Sequence, residues 1–330
     1  MKRILALMLA MLMICFALAA CSKDEEEGEG GTIDLTVTDS DSVYNTGNEH
    51  GDQFYYDYIN GDEVIITGYA GSHTPHAVVI PDKIDERPVT AIANCAFMSK
   101  TNVTEIALPA TVNAIGVSAF AKCTNLAKVN VPEAVITVGD SAFQETAITE
   151  ITLPNGLVTL GENAFAKCEK LLKATLPAGK VQMIDTTVEP AVEFTVNTVP
   201  ERLFFGCKSL VEVVWTTTVD RIEAYAFAGC AELTTVPTWS DNATFIGKCA
   251  FAECAKITAV TIPATLTEVE EYAFYGCASL TSVTFANPIF LWDLDHPQED
   301  VPDNRKAGGE LTAKDLTQTF VAYTWTVVSR

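Results

Sequence analysis

The chain is poor in positive charge. Its 330 residues include 21 Lys and Arg against 43 Asp and Glu, which gives a formal net charge of −22. This balance argues against nucleic acid as a ligand, because binding phosphates needs a basic surface. An anionic lipid surface would also repel the chain.

Histidine and catalytic motifs are scarce as well. The four histidines, His50, His73, His76 and His296, lie outside residues 78–286, so no Cys-His or Ser-His-Asp arrangement can form within that segment. The chain has no phosphate-binding Gly loop, and no Cys-x-x-Cys that would indicate zinc. His73 and His76 have no third ligand, so we expect them to be solvated. The sequence therefore predicts no enzyme, no cofactor and no metal.

Hydrophobic runs of membrane-spanning length are absent after residue 20. Lys2 and Arg3 precede an apolar run from Ile4 to Ala20, as in a secretory signal peptide, and this run is short for a spanning helix. It ends in Leu-Ala-Ala-Cys21, which resembles the lipobox of bacterial lipoproteins. The resemblance implies cleavage of residues 1–20 and acylation of Cys21, and the alternative is an uncleaved membrane anchor.

Residues 21–31 are acidic and Gly-rich, which predicts a flexible tether behind the lipidated Cys. The stretch resembles the export signal that sends lipoproteins to the outside of the outer membrane in Bacteroides-type bacteria. That resemblance implies a protein anchored by lipid to the bacterial outer membrane and facing the cell exterior; a periplasmic orientation is the alternative. Loss of residues 1–20 removes Lys2 and Arg3 and no acidic residue, which changes the net charge from −22 to −24.

A repeat occupies most of the remaining chain. Its template is Ile-Gly-x-x-Ala-Phe-x-x-Cys-x-x-Leu-x-x-Val-x-Val-Pro, and the successive Phe are 23, 23, 22, 39, 23, 24 and 23 residues apart. They are Phe97, Phe120, Phe143, Phe165, Phe204, Phe227, Phe251 and Phe274. The pattern closely resembles the BspA-type leucine-rich repeat of bacterial surface proteins, and the resemblance covers residues 78–286.

The alternating end of each repeat, such as Val129-Asn130-Val131 before Pro132, predicts one short strand with one face inward. A unit of this size cannot bury its own apolar face, so the copies must stack into a leucine-rich-repeat solenoid. With the partial unit at Val78–Pro81, nine strands should form one parallel ladder. The Phe should lie on a convex side of short helical turns and loops and point into the core.

Both ends of the solenoid are predicted to carry β-rich caps. The first, residues 32–77, contains a hairpin of Gln53–Ile59 and Glu63–Tyr69, and the second, residues 287–330, contains a closing strand at Phe320–Val328. An insertion at 178–198 explains the step of 39 and is either a projecting hairpin or a drifted partial repeat. The acidic stretch 293–303 near Trp292 is either a solvated loop or a calcium site without EF-hand spacing.

Cysteine recurs in the repeats, and six of these residues stand three positions after a Phe. Lys100 and Thr146 fill the same position elsewhere, which favours a small buried filler over disulfides between repeats. Pairing of some of them stays open. The repeat cysteines are Cys95, Cys123, Cys168, Cys207, Cys230, Cys249, Cys254 and Cys277.

Recognition is the function that remains, and the outward positions of the predicted strands are the residues that the core does not dictate. This face is small, Thr-rich and mixed in charge. The candidate ligand-binding residues are Glu105, Lys128, Asn130, Glu150, Thr152, Lys173, Thr175, Glu212, Val214, Thr261 and Thr284. The family resemblance implies a protein ligand, in host extracellular matrix or on another cell surface, and a role in adhesion.

Two other functions are compatible with the same sequence. One is a glycan-binding accessory lipoprotein of a polysaccharide uptake system, for which Trp239, Trp292 and Trp325 are candidate aromatic platforms, since Trp215 falls at an inward position. The outward positions themselves contain no aromatic residue. The other is a structural spacer without a specific ligand.

Overall fold

The structure is a computed structural model that describes residues 35, 42–48, 51–185, 192–286, 291–295, 306–307, 312–319 and 324–329. The repeats form successive coils of a solenoid, which we number 1 to 8 after their Phe, from Phe97 to Phe274. Most coils run through a short strand, a turn that contains the Phe, and a second short strand. The aliphatic residues of both strands and the Phe ring fill the core between them.

The strands in chain order are β1 (Val43–Asn45), β2 (Gln53–Ile59), β3 (Glu63–Ala70), β4 (His76–Val79), β5 (Lys83–Ile84), β6 (Arg87–Ile92), β7 (Val103–Ala107), β8 (Ala114–Ile115), β9 (Lys128–Asn130), β10 (Thr137–Val138), β11 (Glu150–Thr152), β12 (Thr159–Leu160), β13 (Lys173–Leu176), β14 (Gly179–Asp185), β15 (Val192–Val199), β16 (Glu212–Trp215), β17 (Arg221–Ile222), β18 (Phe245–Ile246), β19 (Ala259–Ile262), β20 (Glu268–Val269), β21 (Ser282–Phe285), β22 (Leu291–Asp295), β23 (Lys306–Ala307) and β24 (Thr324–Ser329).

The predicted ladder of one strand per repeat is present, and we call it the first ladder. It is parallel and falls into three groups: β4-β7-β9, β11-β13-β16 and β19-β21. The prediction of nine continuous strands was wrong, because coil 6 has no strand here and the ladder also breaks between β9 and β11.

Both breaks occur in coils whose length departs from 23 residues. Coil 3 has one residue fewer than the usual repeat, and coil 6 has one more. In coil 6, Pro237 is buried where the template places an outward residue, and Thr238 is exposed where it places an inward one. A shift of one residue exchanges the two faces of a strand, and Pro cannot donate to a ladder.

A second ladder, which the sequence analysis missed, lies at the Ile-Gly position of the template. Its strands include β6, β8, β10 and β12 before the insertion and β15, β17, β18 and β20 after it, all in parallel pairs. Most of these strands have only two residues, which is too short for an alternating pattern to be recognised.

The segments around the Phe are turns held by positive φ angles, so the prediction of helical turns was wrong. In every coil the residue two before the Phe and the residue two after it have positive φ, as Ser118 (53°) and Lys122 (61°) do in coil 2. A left-handed residue on each side of the Phe stops helix propagation. In coils 1 to 7 the N–H groups of these two residues and of the Phe instead donate to the next coil, as Phe120 donates to the Ala142 carbonyl at 2.8 Å.

The Phe rings stack along the whole solenoid. Neighbouring centroids are 5.1 to 5.7 Å apart, and all eight rings are buried. Tyr69 of the N-terminal cap continues the stack, with its centroid 5.1 Å from that of Phe97.

The caps attach to the second ladder. β2 and β3 form an antiparallel hairpin, and β3 pairs with β6 in parallel. At the other end β24 pairs antiparallel with β20 and with β22, and a single π-helical turn at Asp315–Thr319 precedes β24 in the chain.

The insertion is a hairpin of β14 and β15, paired from Gly179 with Thr198 to Asp185 with Val192. The last residues of β15 serve as the second-ladder strand of coil 5. At the base of β14 a Cβ on Gly179 would lie 3.4 Å from the Leu160 Cβ of coil 4, so the hairpin enters the second ladder between these coils.

Several predicted features fall on residues outside the described ranges: the signal peptide, Cys21, the tether, His50, His296 and most of the acidic stretch 293–303. Asp293 and Asp295 of that stretch lie in β22, although the sequence suggested a loop.

Candidate functional site

The outward side chains of the first ladder form the candidate site, which we call the strand face. All eleven predicted residues lie on first-ladder strands, and each is exposed or half-buried. The alternation is clearest in β9 and β11, where Val129 and Ile151 point into the core between exposed neighbours. The structure brings these residues together in three groups, set by the breaks in the ladder.

One column of the strand face alternates in charge. Glu105, Lys128, Glu150, Lys173 and Glu212 occupy equivalent positions in coils 1 to 5. Lys128 Nζ lies 2.6 Å from Glu105 Oε1, and Lys173 Nζ lies 2.9 Å from Glu212 Oε2. Because these side chains are between 42% and 72% exposed, the pairs add little stability. Their charges therefore remain available to a partner.

The second column is uncharged and contains Thr152, Thr175, Thr261, Thr284 and Val214. It also contains Asn130, which the sequence placed among free ligand-binding groups.

The Asn130 amide is already engaged by the preceding coil. Its Oδ1 accepts the Leu108 N–H at 2.8 Å, and its Nδ2 donates to the Leu108 carbonyl at 3.0 Å. A side chain that pairs with both the N–H and the carbonyl of one residue extends the ladder of the preceding coil. Asn130 therefore has a structural role as well as a place on the strand face.

The Trp side chains with a described environment are not on the strand face. The half-buried Trp215 ring points inward, with its centroid 6.4 Å from that of Phe227 at an interplanar angle of 84°. Trp239 is half-buried and forms a backbone bridge with Val219.

The family model of the BspA type Leucine rich repeat region matches residues 90–188 and 191–291, in 6 copies. The chain is a BspA-type leucine-rich repeat protein. Repeats of this kind generally serve as scaffolds for protein interactions and not as enzymes.

Solved structures of other bacterial leucine-rich repeat proteins are similar to this one. A T. pallidum leucine-rich repeat protein is 26% identical, with 56% of this chain and 89% of that chain covered and a TM-score of 0.42. A Bacteroides ovatus leucine-rich repeat protein is 20% identical (coverage 74% and 91%, TM-score 0.31), and the pneumococcal vaccine antigen PcpA is 16% identical (coverage 76% and 83%, TM-score 0.33). The comparison with curated proteins gives no match.

The Cys of the BspA-type repeat is a buried thiol that joins coils. Each of the six at the template position donates its S–H to the carbonyl of the preceding coil's Phe, at 3.0 to 3.2 Å. Burial raises the pKa of Cys168 to about 11 and that of Cys123 to about 12. These thiols are therefore protonated and not nucleophilic at neutral pH. Outside the six, Cys249 is a half-buried thiol and Cys95 is disulfide-bonded.

A buried polar cluster closes the N-terminal end of the BspA-type solenoid. Asp52 Oδ1 accepts the Tyr69 hydroxyl at 2.5 Å and the His76 Nε2–H at 2.9 Å, and His76 Nδ1–H donates to the Thr74 carbonyl at 2.9 Å. Asp52, Tyr69 and His76 are at most 6% exposed. The expectation of a solvated His76 was wrong, and the residue begins β4 of the first ladder.

The protonation of this cluster follows from two opposed effects on each group. Burial lowers the pKa of His76, but its hydrogen bonds to Thr74 and Asp52 outweigh this, so that pKa is raised. Burial raises the pKa of Asp52, but the hydrogen bonds from Tyr69, Asn48 and His76 outweigh this, so that pKa is lowered. Asp52 and His76 therefore form an ion pair that is buried and inaccessible to substrate. Its role is to stabilise the N-terminal end of the solenoid.

Two further features of the described residues bear on function. Within the described ranges, no three His, Cys, Asp or Glu side chains converge in a way that would bind a metal. His73 is exposed and separate from the buried ring of His76. None of the helices in the same ranges has the length and apolar character needed to cross a bilayer.

Proposed function

We propose that this BspA-type protein is a non-enzymatic surface lipoprotein that binds protein ligands through the strand face, in adhesion to host matrix or to other cells. The observation that supports it best is the alternating column from Glu105 to Glu212. Within each group of paired strands the charges are displayed in register about 4.8 Å apart, with Glu105 beside Lys128 in one group and Glu150, Lys173 and Glu212 side by side in the next. The core leaves them free for a partner.

Such a face suits a partner that is bound by many weak contacts. Its backbone is ordered before binding, so little conformational entropy is lost on association. Alternating charges add specificity, because a partner displaced by one coil meets like charges along the column. The uncharged Thr column beside it offers hydroxyl groups. The described outward side chains include no aromatic platform of the kind that glycan binding favours.

The binding proposal is tested by changing Lys128, Glu150, Lys173 and Glu212 together to Ala. These substitutions remove two positive and two negative charges and leave the core untouched. We expect an unchanged melting temperature and a loss of binding to the matrix proteins that the wild type retains, measured with immobilised fibronectin, laminin and collagen. Lys122→Ala, on the opposite side of coil 2, is the control and should bind as the wild type does. Unchanged binding by the fourfold variant would place the site elsewhere.

The location is proposed on the sequence alone, from the lipobox-like end at Cys21 and the acidic tether. Cys21→Ser should abolish labelling by radioactive palmitate and release the protein from the membrane fraction. Proteinase added to intact cells should digest the wild-type protein. A chain that resists digestion until the cells are lysed is not a surface adhesin.

A further inference from the structure

Coil 3 lacks one residue at the corner between its Phe turn and its first-ladder strand. Coils 2 and 4 have Cys-x-x-Leu at this corner, and the Leu N–H donates to the Cys carbonyl at 2.9 Å in coil 2 and at 3.0 Å in coil 4. Coil 3 has only Thr146-Ala147-Ile148, so this tight turn cannot form. The corner of coil 3 is therefore recessed between its neighbours.

A cavity of about 400 Å³ opens at this recess. Its lining comes from three consecutive coils: Thr124 of coil 2, Glu145 and Ala147 of coil 3, and Lys167, Glu169 and Lys170 of coil 4. The volume is in the range that holds a small ligand. Since the lining contains no aromatic or large aliphatic side chain, it favours a hydrophilic ligand.

The lining of the recess holds two Lys and two Glu, and one of the Lys has no paired carboxylate. Lys167 Nζ lies 3.4 Å from Glu145 Oε1, and Glu169 Oε1 lies 2.6 Å from Lys208 Nζ. Lys170 has no carboxylate within 4.0 Å of its Nζ in the described part of the chain. A singly charged anion would balance this group, whereas the two Glu would repel a dianion.

Backbone donors at the same corner are also unsatisfied. Ala147 is 4% exposed and Ile148 is fully buried, and neither N–H donates to another residue in the described ranges. Backbone N–H groups in folded proteins are nearly always paired with protein groups or with water, and the Ala147 N–H, in the lining of the recess, can take its acceptor from solvent or from a ligand. Consecutive backbone N–H groups in a concave site are a known arrangement for binding anions.

We propose that this recess binds a carboxylate group. The Ala147 N–H donates to the carboxylate, and the ammonium groups of Lys170 and Lys167 pair with it. Glu145 and Glu169, on the rim, accept hydrogen bonds from hydroxyl or amide groups of the same ligand. Two sources supply this chemistry: a free acidic sugar, and an acidic side chain with its neighbouring peptide N–H.

The test is an amide chemical-shift titration of the purified chain with two matched pairs of probes. Glucuronate against glucose tests the sugar, and an end-blocked Gly-Glu-Gly peptide against Gly-Gln-Gly tests the side chain. We expect at least one carboxylate to shift the Ala147 amide, and its neutral counterpart to leave it unchanged. Lys170→Met should weaken that binding about tenfold, because a charge-assisted hydrogen bond is lost.

Two further variants complete the test. Lys122→Met changes the residue of coil 2 that is equivalent to Lys167 and lines no part of the recess, so binding should be unchanged. Insertion of Asn between Ala147 and Ile148 restores the usual repeat length and should abolish binding, with the melting temperature as the check on folding. The proposal is overturned if neutral probes shift the Ala147 amide equally, if inorganic phosphate binds more tightly than either carboxylate, or if Lys170→Met binds as the wild type does.

Discussion

Gly161 allows the stacking of coils at the second ladder to be tested with a matched control. A Cβ at this position would lie 2.4 Å from the Asp140 nitrogen and 2.5 Å from the Gly139 carbonyl carbon, both in the backbone of coil 3. The two coils are also tied there, since the Gly161 N–H donates to the Val138 carbonyl at 2.8 Å. A methyl group can therefore be accommodated only by moving one coil away from the other.

Gly161→Ala should destabilise the protein by about 3 kcal/mol, the upper end for overpacking, because the obstructing atoms are backbone and cannot change rotamer. Gly156→Ala is the control, because a Cβ there has no heavy atom within 4 Å. It should be neutral or stabilise the protein by up to about 1 kcal/mol through the unfolded chain. Urea denaturation followed by circular dichroism measures both. If the two variants have the same free energy of unfolding, the close approach of the coils is not the reason that position 161 requires glycine.

Three further predictions concern the core and the N-terminal cap. Phe143→Ala, which removes a ring from the centre of the stack, should cost about 3–5 kcal/mol in the same denaturation assay, whereas Phe143→Leu should cost less than about 1.5 kcal/mol. The six thiols at the template position should resist iodoacetamide in the native protein and react once it is unfolded; rapid native labelling would contradict their burial. Because the pKa of His76 is raised in the folded protein, His76 stabilises the fold fully below its ordinary pKa of 6.5, and this stabilisation is lost as the pH rises through the raised pKa. Because the pKa of Asp52 is lowered, Asp52 stabilises the fold above its ordinary pKa of 3.8, and this stabilisation is lost as the pH falls through the lowered pKa. The melting temperature should therefore be highest between about pH 4 and 6.5, and His76→Gln should remove the decline on the alkaline side.

The main features of the fold could be predicted because they recur. A Phe every 23 residues and an alternating strand before a Pro are local patterns, and repetition fixes how they stack. The family and the first ladder are confirmed on this basis. The second ladder was missed because most of its strands have only two residues. The convex turns were mistaken for helical turns because positive φ at residues such as Ser118 and Lys122 has no sequence signal.

The candidate site was predictable only in part. Alternation within each strand gave the orientation of residues such as Lys128 and Glu150. The structural role of Asn130 and the burial of His76 were missed, because their hydrogen-bond partners are 22 and 24 residues away in sequence. The breaks in the first ladder did have a signal, the steps of 22 and 24 between Phe residues, which mark coils 3 and 6.

The central claim is that a protein partner binds the strand face, and site-specific photocrosslinking on intact cells tests it most directly. A photoreactive amino acid placed at Thr152 or Thr175 lies in the uncharged column, whereas the same group at Lys122 lies on the opposite side of coil 2. We predict that host matrix proteins are captured from Thr152 and Thr175 and not from Lys122. Capture from Lys122 alone, with the same proteins absent from both strand-face positions, would contradict the account.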